Sequence, residues 1–293
     1  MTPSNISLVD RQHPARWMLG ALALCGSAFA VYSIATNQNM EWSVVRHYLT
    51  ASTILSGLWL TLWLTAVVTV LGLFGGIVLA CARLSSNPIL SALSWGYVWI
   101  FRSVPVLVQL LFWFNIAYLY PVVSFGIPFG PTFIHGDATM LISATVAAVL
   151  GLTLHEIAYA GEIIRGGILG VDPAQEEASF ALGMSRSRAL RRVILPQAMR
   201  SIIPAVGNMT IGTLKGTSIV SVIAVSDLLY SAQFIYNQTY QVVPLLLVAS
   251  AWYLVTTSVL SVGQYYIERR FSRGYERTAR AAPRPHDLTE VPA

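Results

Sequence analysis

Residues 53–82 read TILSGLWLTLWLTAVVTVLGLFGGIVLACA, a run without one charged side chain. About 20 apolar residues are enough to cross ~30 Å of hydrocarbon as a helix. In lipid such a run has to be helical, because no water is present to satisfy open backbone groups. Five further apolar segments, 17–36, 97–120, 138–163, 198–225 and 244–267, flank it, rich in Leu, Val, Ala and Ile with Trp and Tyr near their ends. The reading is an all-α membrane protein of six spans.

Composition agrees. Of 293 residues 55% are hydrophobic and 11% charged, and mean hydropathy is +0.62, where soluble domains carry about 25% charge. These values exclude a soluble enzyme, a disordered chain and a coiled coil. The two cysteines, Cys25 and Cys81, lie in different runs and do not suggest a disulfide framework. Net charge is +5, but 17 of the 18 basic residues are Arg and Lys215 is the one Lys. The arginines cluster between apolar runs, a topology signal and not a nucleic-acid patch.

Six spans put both termini on one side. With the edge residues Arg165 and Arg200 counted, that side holds Arg11, Arg16, Arg83, Arg165, Arg186, Arg188, Arg191, Arg192, Arg200, Arg269, Arg270, Arg273, Arg277, Arg280 and Arg284, against Arg46 alone opposite. This is a strong positive-inside bias, so the first side is cytoplasmic. The first run has two readings: a retained signal-anchor helix, which its length through Ala35 favours, or a signal peptide cut near Ala28-Phe29-Ala30. The outside loop 121–137, with Pro121, Gly126, Pro128, Gly130, Pro131 and Gly136, is expected to be irregular. Loop 226–243 is also placed outside, and the Arg-, Ala- and Pro-rich tail after 270 is expected to be disordered.

Catalytic signatures are missing. No Gly-Lys-Ser/Thr phosphate loop and no G-x-G spacing occur, and His155-Glu156-Ile157-Ala158-Tyr159 has Tyr where a zinc protease needs its second His.

The cytoplasmic loop 164–197 is the most informative segment. Asp172-Pro173-Ala174-Gln175 reads as a helix start: Asp172 as N-cap, Pro173 at the first helical position, Gln175 as a capping-box partner. Ala174, Ala178, Ala181 and Leu182 share one face, and Gly183 ends the helix as a left-handed cap. Ser185 is placed as the cap of a second short helix, carrying Arg186, Arg188, Arg191 and Arg192 and limited by Pro196. Such a pair either lies on the bilayer surface or offers a helix to a groove on a soluble partner. Small residues at Ala178, Ser179 and Ala181 would let that partner approach.

Glu177-Ala178-Ser179-Phe180-Ala181-Leu182-Gly183, followed by Val193-Ile194-Leu195-Pro196, resembles the EAA loop (E-A-A-x3-G-x9-I-x-L-P) of ABC importer permeases. More narrowly the chain is similar to the polar-amino-acid uptake branch. Phe101 to Leu110, Ala158 to Ile168, Ala181 to Ser185, Val193 to Arg200 and Leu214-Lys215-Gly216-Thr217-Ser218 carry the likeness, which runs from about Ser52 to Arg270. Departures are Ser179 for the third motif alanine, Val193 for the isoleucine, Gly216 where the branch usually has Asp, and His155-Glu156 where it often has Asn-Tyr.

The resemblance implies a five-helix type I importer core in residues 53–270, with segment 1–16 cytoplasmic, 17–36 an additional helix and 271–293 a tail. It implies a second permease subunit, identical or homologous, two ATPase subunits, an extracytoplasmic solute-binding protein and an amino-acid substrate. ATP and Mg would sit on the ATPase, with no cofactor on this chain, which is itself no enzyme. Glu177, Ala178, Ser179, Gly183, Leu195 and Pro196 are the residues expected to couple to the ATPase. Glu156, with a rise of ~1.5 Å per residue from Arg165, falls about 13 Å inside its span. A carboxylate there needs a partner. It is the expected contact for positive charge on the substrate, His155 and Arg102 contributing. The competing reading is an internal ion pair with Lys215 or Arg102. Asn208, Lys215, Thr217 and Ser218 are expected to face the bundle interior, with Lys215 reaching the outer interface as the alternative. A secondary carrier or channel would leave the 164–197 loop unexplained, and an opine or amine substrate is the alternative within importers.

Overall fold

In a computed structural model of the protein, residues 14–126 and 132–272 are described. The readings for most of 1–16, for 127–131 and for most of the tail therefore lie outside the described residues. The chain opens with α1 (Pro14–Thr36), exposed from residue 16 onward, and α2 (Trp42–Tyr48), tied to it by the Trp42 indole donating to the Ala35 carbonyl at 3.0 Å. Next come α3 (Ser52–Arg83), α4 (Pro88–Ser103), α5 (Val106–Phe114) and α6 (Ile116–Leu119). A β1–β2 hairpin (Val122–Gly126, Thr132–Asp137) precedes α7 (Ala138–Leu141) and α8 (Ala144–Leu169). α9 (Pro173–Ala181) and α10 (Arg186–Ala189) follow, then α11 (Leu195–Gly216), α12 (Leu228–Thr239) and α13 (Val242–Ser272).

Among the described residues four helices are long and apolar enough to cross a membrane, and six spans result if each of two bent pairs counts as one. The sequence expectation changes at several points. The run 97–120 is not one helix: α4 and α5 meet at 100° across Val104-Pro105. Pro105 has no N–H, and its ring forces Val104 out of the helical region (φ −87°, ψ 130°). Loop 121–137 contains an antiparallel hairpin with an irregularity at Phe125/Gly126. Loop 226–243 contains α12, whose N-cap Asp227 accepts from the Tyr230 amide at 2.8 Å. Asp227 is fully buried; its other oxygen accepts from Tyr253, and Thr61 Oγ1 accepts from the Leu228 amide at 3.0 Å, which joins α3, α12 and α13.

The most extensive helix–helix contact is α3 on α8. A Cβ on Gly72 would lie 2.8 Å from Glu156 Cβ, one on Gly75 2.5 Å from Ile157 Cδ1, and one on Gly76 2.5 Å from Ala160 Cβ. Lipid gives helices no hydrophobic reason to associate, so close backbone approach through small residues does that work. Leu64, Val68, Leu110, Ala147, Ala148 and Leu152 fill the outer part of this seam, and a second core of Ile54, Leu58, Leu228, Leu245 and Val248 joins α3, α12 and α13.

Gly76→Val is expected to lower the thermal unfolding midpoint of the purified protein, by an overpacking penalty of about 1–3 kcal/mol. Gly263→Ala, where a Cβ meets nothing within 4 Å, should leave the midpoint in place. Equal midpoints for the two variants would contradict the packing described.

Candidate functional site

Two regions stand out: the 164–197 loop and a cavity at mid-helix. In the loop, Asp172 caps α9 by accepting from the Ala174 amide at 2.9 Å, with Pro173 in the first turn. Gln175 does not close a capping box; its Oε1 instead accepts from Gln197 Nε2 at 3.4 Å, clipping α9 to the start of α11. The C-terminus is a Schellman turn. The Met184 amide donates to the Ser179 carbonyl at 3.0 Å, the Gly183 amide to Phe180 at 2.9 Å, and Gly183 has φ +73°.

Ala174, Ala178, Ala181 and Leu182 all face solvent, as do Glu177 and Phe180, with Leu182 78% and Phe180 43% exposed. Ser179 is the buried one, turned onto its own chain and donating to the Gln175 carbonyl at 2.7 Å. Of the small residues Ala178, Ser179 and Ala181 expected to let a partner approach, Ser179 is thus turned away from the exposed face. Ser185 precedes α10 without a side-chain cap, and Pro196 does not end that helix. Residues 190–194 widen into a π turn in which the Leu195 amide reaches the Leu190 carbonyl, so the helical path runs on from α10 into α11. The wider turn accommodates a proline that has no N–H to give. Leu195 and Pro196 are exposed on it, as are Arg186, Arg188, Arg191 and Arg192.

The second region is a cavity of about 310 Å³ lined by Val106, His155, Glu156, Tyr159, Met209, Thr213 and Gly216 among others. Glu156 lies midway along α8, roughly 18–20 Å from either end at ~1.5 Å per residue. Its Oε1 accepts from Thr213 Oγ1 at 2.8 Å, while Oε2 is buried with no partner. No ion pair to Lys215 or Arg102 forms among the described residues, so the internal-pair reading does not hold in this conformation.

Lys215 and Asn208 are exposed, off the cavity wall, and the expectation that both face the interior of this chain is corrected. At 100° per residue they sit about 100° around α11 from Met209, Gly212, Thr213 and Gly216. Thr217 is fully buried and Ser218 half-buried, each hydroxyl returning to a carbonyl three residues back.

His155 lies against Tyr159 with ring centroids 4.7 Å apart and planes tilted by 38°, and meets Gln109 Nε2 at 3.4 Å. Gln109, not anticipated from sequence, is buried and donates to the Phe101 and Val104 carbonyls at 3.0 and 2.7 Å, which the Pro105 break leaves open. The proline was the available signal. Arg102 lies outside the cavity, its guanidinium carbon 5.0 Å from the far-side Tyr159 ring centroid. No group of His, Cys, Asp and Glu among the described residues could hold a metal.

Residues 72–273 match the family described as the binding-protein-dependent transport system inner membrane component. The chain belongs to that family. It is a multi-pass permease of the inner membrane, with the type I importer fold and an extra helix before the core. The permease is 42% identical over 281 residues to an arginine transport system permease protein of Corynebacterium glutamicum, covering 95% of this chain and 87% of that one. A nopaline transport system permease protein of Agrobacterium fabrum is 37% identical, covering 69% and 80%. Among solved structures, a chain from an amino acid ABC transporter crystallised with histidines is 36% identical at TM-score 0.65, covering 74% of this chain and 94% of that one. A chain of the inward-facing MetNI methionine transporter, 18% identical at TM-score 0.59 over 80% and 99%, shares the fold.

Because Lys215 does not meet Glu156, Glu156→Gln and Lys215→Met should act independently on stability. In a thermal-unfolding cycle of the two single variants and the double, their effects should add within about 0.3–0.5 kcal/mol. A larger coupling would restore the internal ion pair.

Proposed function

We propose that this permease is the membrane path for an amino acid carrying positive charge, with uptake driven by a separate ATPase. One observation carries the reading: a carboxylate at the middle of a membrane span, opening into a cavity, with one oxygen unpartnered and no internal cation against it. A charged group at that depth is expensive, on the order of 2.5–3.5 kcal/mol on insertion scales. Its retention is accounted for by an ammonium or guanidinium group of the substrate arriving there. The apolar wall of Val106, Leu152 and Met209 suits an aliphatic stem. Similarity to the arginine and nopaline permeases supports a cationic or zwitterionic amino-acid-like solute. His155 contributes through its contact with Tyr159. Asn208, Lys215 and Ser218, off this wall, would line the path where a second permease subunit, identical or homologous, meets the first.

The exposed face of α9 docks on the ATPase, with Glu177, Ala178 and Leu182 in contact, Gly183 setting the turn, and Leu195-Pro196 at the root of the rod behind it. Ser179 packs the helix onto its own chain. A solute-binding protein delivers substrate outside, and ATP and Mg sit on the ATPase. The arginine bias supports cytoplasmic termini, and the apolar run through Ala35 supports 17–36 as an anchor.

Glu156→Gln keeps shape and removes charge. Uptake of labelled arginine by proteoliposomes containing the assembled importer is expected to fall roughly 10- to 150-fold, the loss of a hydrogen bond to a charged group worth about 1.5–3 kcal/mol. Uptake equal to wild type would refute the recognition role.

Gly183→Val puts a β-branched residue at φ +73°, a strain of about 1–2 kcal/mol or more. Membrane levels of the protein should stay near normal while ATP hydrolysis no longer tracks uptake. Unchanged coupling in an assembled variant would count against docking through this turn.

A further inference from the structure

A second cavity, of about 390 Å³, lies beyond Tyr159 from the Glu156 cavity, between the last residue of α3 and the outer face of α4. Arg83, Arg102 and Glu162 are its charged residues. Glu162 is already taken: Arg165 donates to both of its oxygens, at 2.9 and 2.8 Å. Arg83 Nε stands 3.8 Å from Glu162 Oε1, outside hydrogen-bonding range, and is buried with no acceptor. Arg102 rests on the Tyr159 ring and has no carboxylate against it among the described residues. Two guanidinium groups thus face one pocket whose only carboxylate is satisfied elsewhere. With Arg165 counted the surroundings carry +2. A buried guanidinium donor without an acceptor is costly, and a phosphodiester or carboxylate is the group whose geometry it matches.

The wall beside the arginines decides which anion. Trp95 and Trp99, 53% and 60% exposed, stack with centroids 6.3 Å apart and planes within 5°. Ile89, Leu93 and Ile100, about a third of a turn further around α4 and outside the pocket, are equally open. A small soluble anion would leave this apolar surface uncovered. A phospholipid covers it: phosphate on the arginines, acyl chains along α4, the paired indoles at headgroup level. Arg83 is on the arginine-rich side of the chain, so the lipid belongs to the inner leaflet.

We propose that this pocket is a site for an anionic phospholipid of the inner leaflet, held through its phosphodiester by Arg83 and Arg102. The site is separate from the Glu156 cavity and does not rest on the substrate assignment. A bound lipid there would brace the α3–α4 corner and the outer side of Tyr159.

The test extracts the assembled importer from vesicles of equal phosphatidylcholine and phosphatidylglycerol and weighs the retained lipid by native mass spectrometry. Phosphatidylglycerol should be retained over phosphatidylcholine. Arg83→Gln and Arg102→Gln should each cut its retention about tenfold, the loss of one charge-assisted contact. Equal retention of the two lipids by wild type, or undiminished phosphatidylglycerol in the double variant, would overturn the proposal. So would glycerol phosphate binding as tightly as the lipid, which would make the site one for soluble anions. Should the variants fail to assemble, a photoactivatable phosphatidylglycerol applied to the unaltered importer decides. Crosslinks within 83–103 support the site; crosslinks confined to other segments, as expected if a second permease covers α4, overturn it.

Discussion

The close approach of α3 to α8 is the constraint on which the rest of the permease depends. Gly72, Gly75 and Gly76 on one helix meet Glu156, Ile157 and Ala160 on the other, and Gly161 in turn meets Leu79. Contacts this short make up for the missing hydrophobic drive between helices in lipid. They also fix where the acidic group points. With the backbone of Gly72 against its Cβ, the Glu156 side chain cannot turn toward α3, and its carboxylate reaches Thr213 on α11. The contact that holds the bundle therefore also aims the charge into the cavity.

Irregular backbone at membrane depth is tolerated only where other groups of the protein satisfy it. α4 ends at Val104-Pro105, and the Gln109 amide group takes up the freed Phe101 and Val104 carbonyls. α11 ends at Gly216 and passes through a 3-10 turn, Thr217–Ile223, to Ala224 in the left-handed region and the buried Asp227 cap. Val106 and Gly216, the residues bordering these two breaks, both line the Glu156 cavity. The cavity exists because two helices are interrupted at the depth where α8 carries its carboxylate.

What was legible in the sequence follows from how local each rule is. The spans, the Asp172-Pro173 start and the Gly183 stop obey rules that look only a few residues away, and the helices and turn form there. The bend at Pro105 was equally local, yet the apolar run through 97–120 masked it. α12 was hidden by its length, 12 residues against the roughly 20 that mark a span, although Asp227 ahead of Leu228 is an N-cap pattern. Lys215 is a different failure. Which face of α11 meets α8 depends on helix phase, which depends on the continuous path through the π turn at 190–194. No reading of Lys215 and Glu156 as complementary charges contains that phase. Ser179 is a related case: its small size suggested close approach by a partner, but which side of α9 turns inward is set by its packing on the following helix.

That continuity bears on coupling. From Arg186 to Gly216 the path is helical throughout, about 45 Å at ~1.5 Å per residue, and it joins the turn after Gly183 to Thr213. A displacement of α9 is passed through Gln175–Gln197 and the packed Ser179 to the root of this rod. The rod has one wider turn, at 190–194, where its hydrogen bonds are already of the longer π type. Pro204 inside α11 removes a further helical hydrogen bond, so motion would divide between flexing at these two points and tilting the segment beyond them. Any tilt carries Thr213 relative to α8 and strains its 2.8 Å bond to Glu156. Loss of that bond would leave both carboxylate oxygens without a protein donor, and the carboxylate's need for a cation would be greatest in the state where the seam has opened.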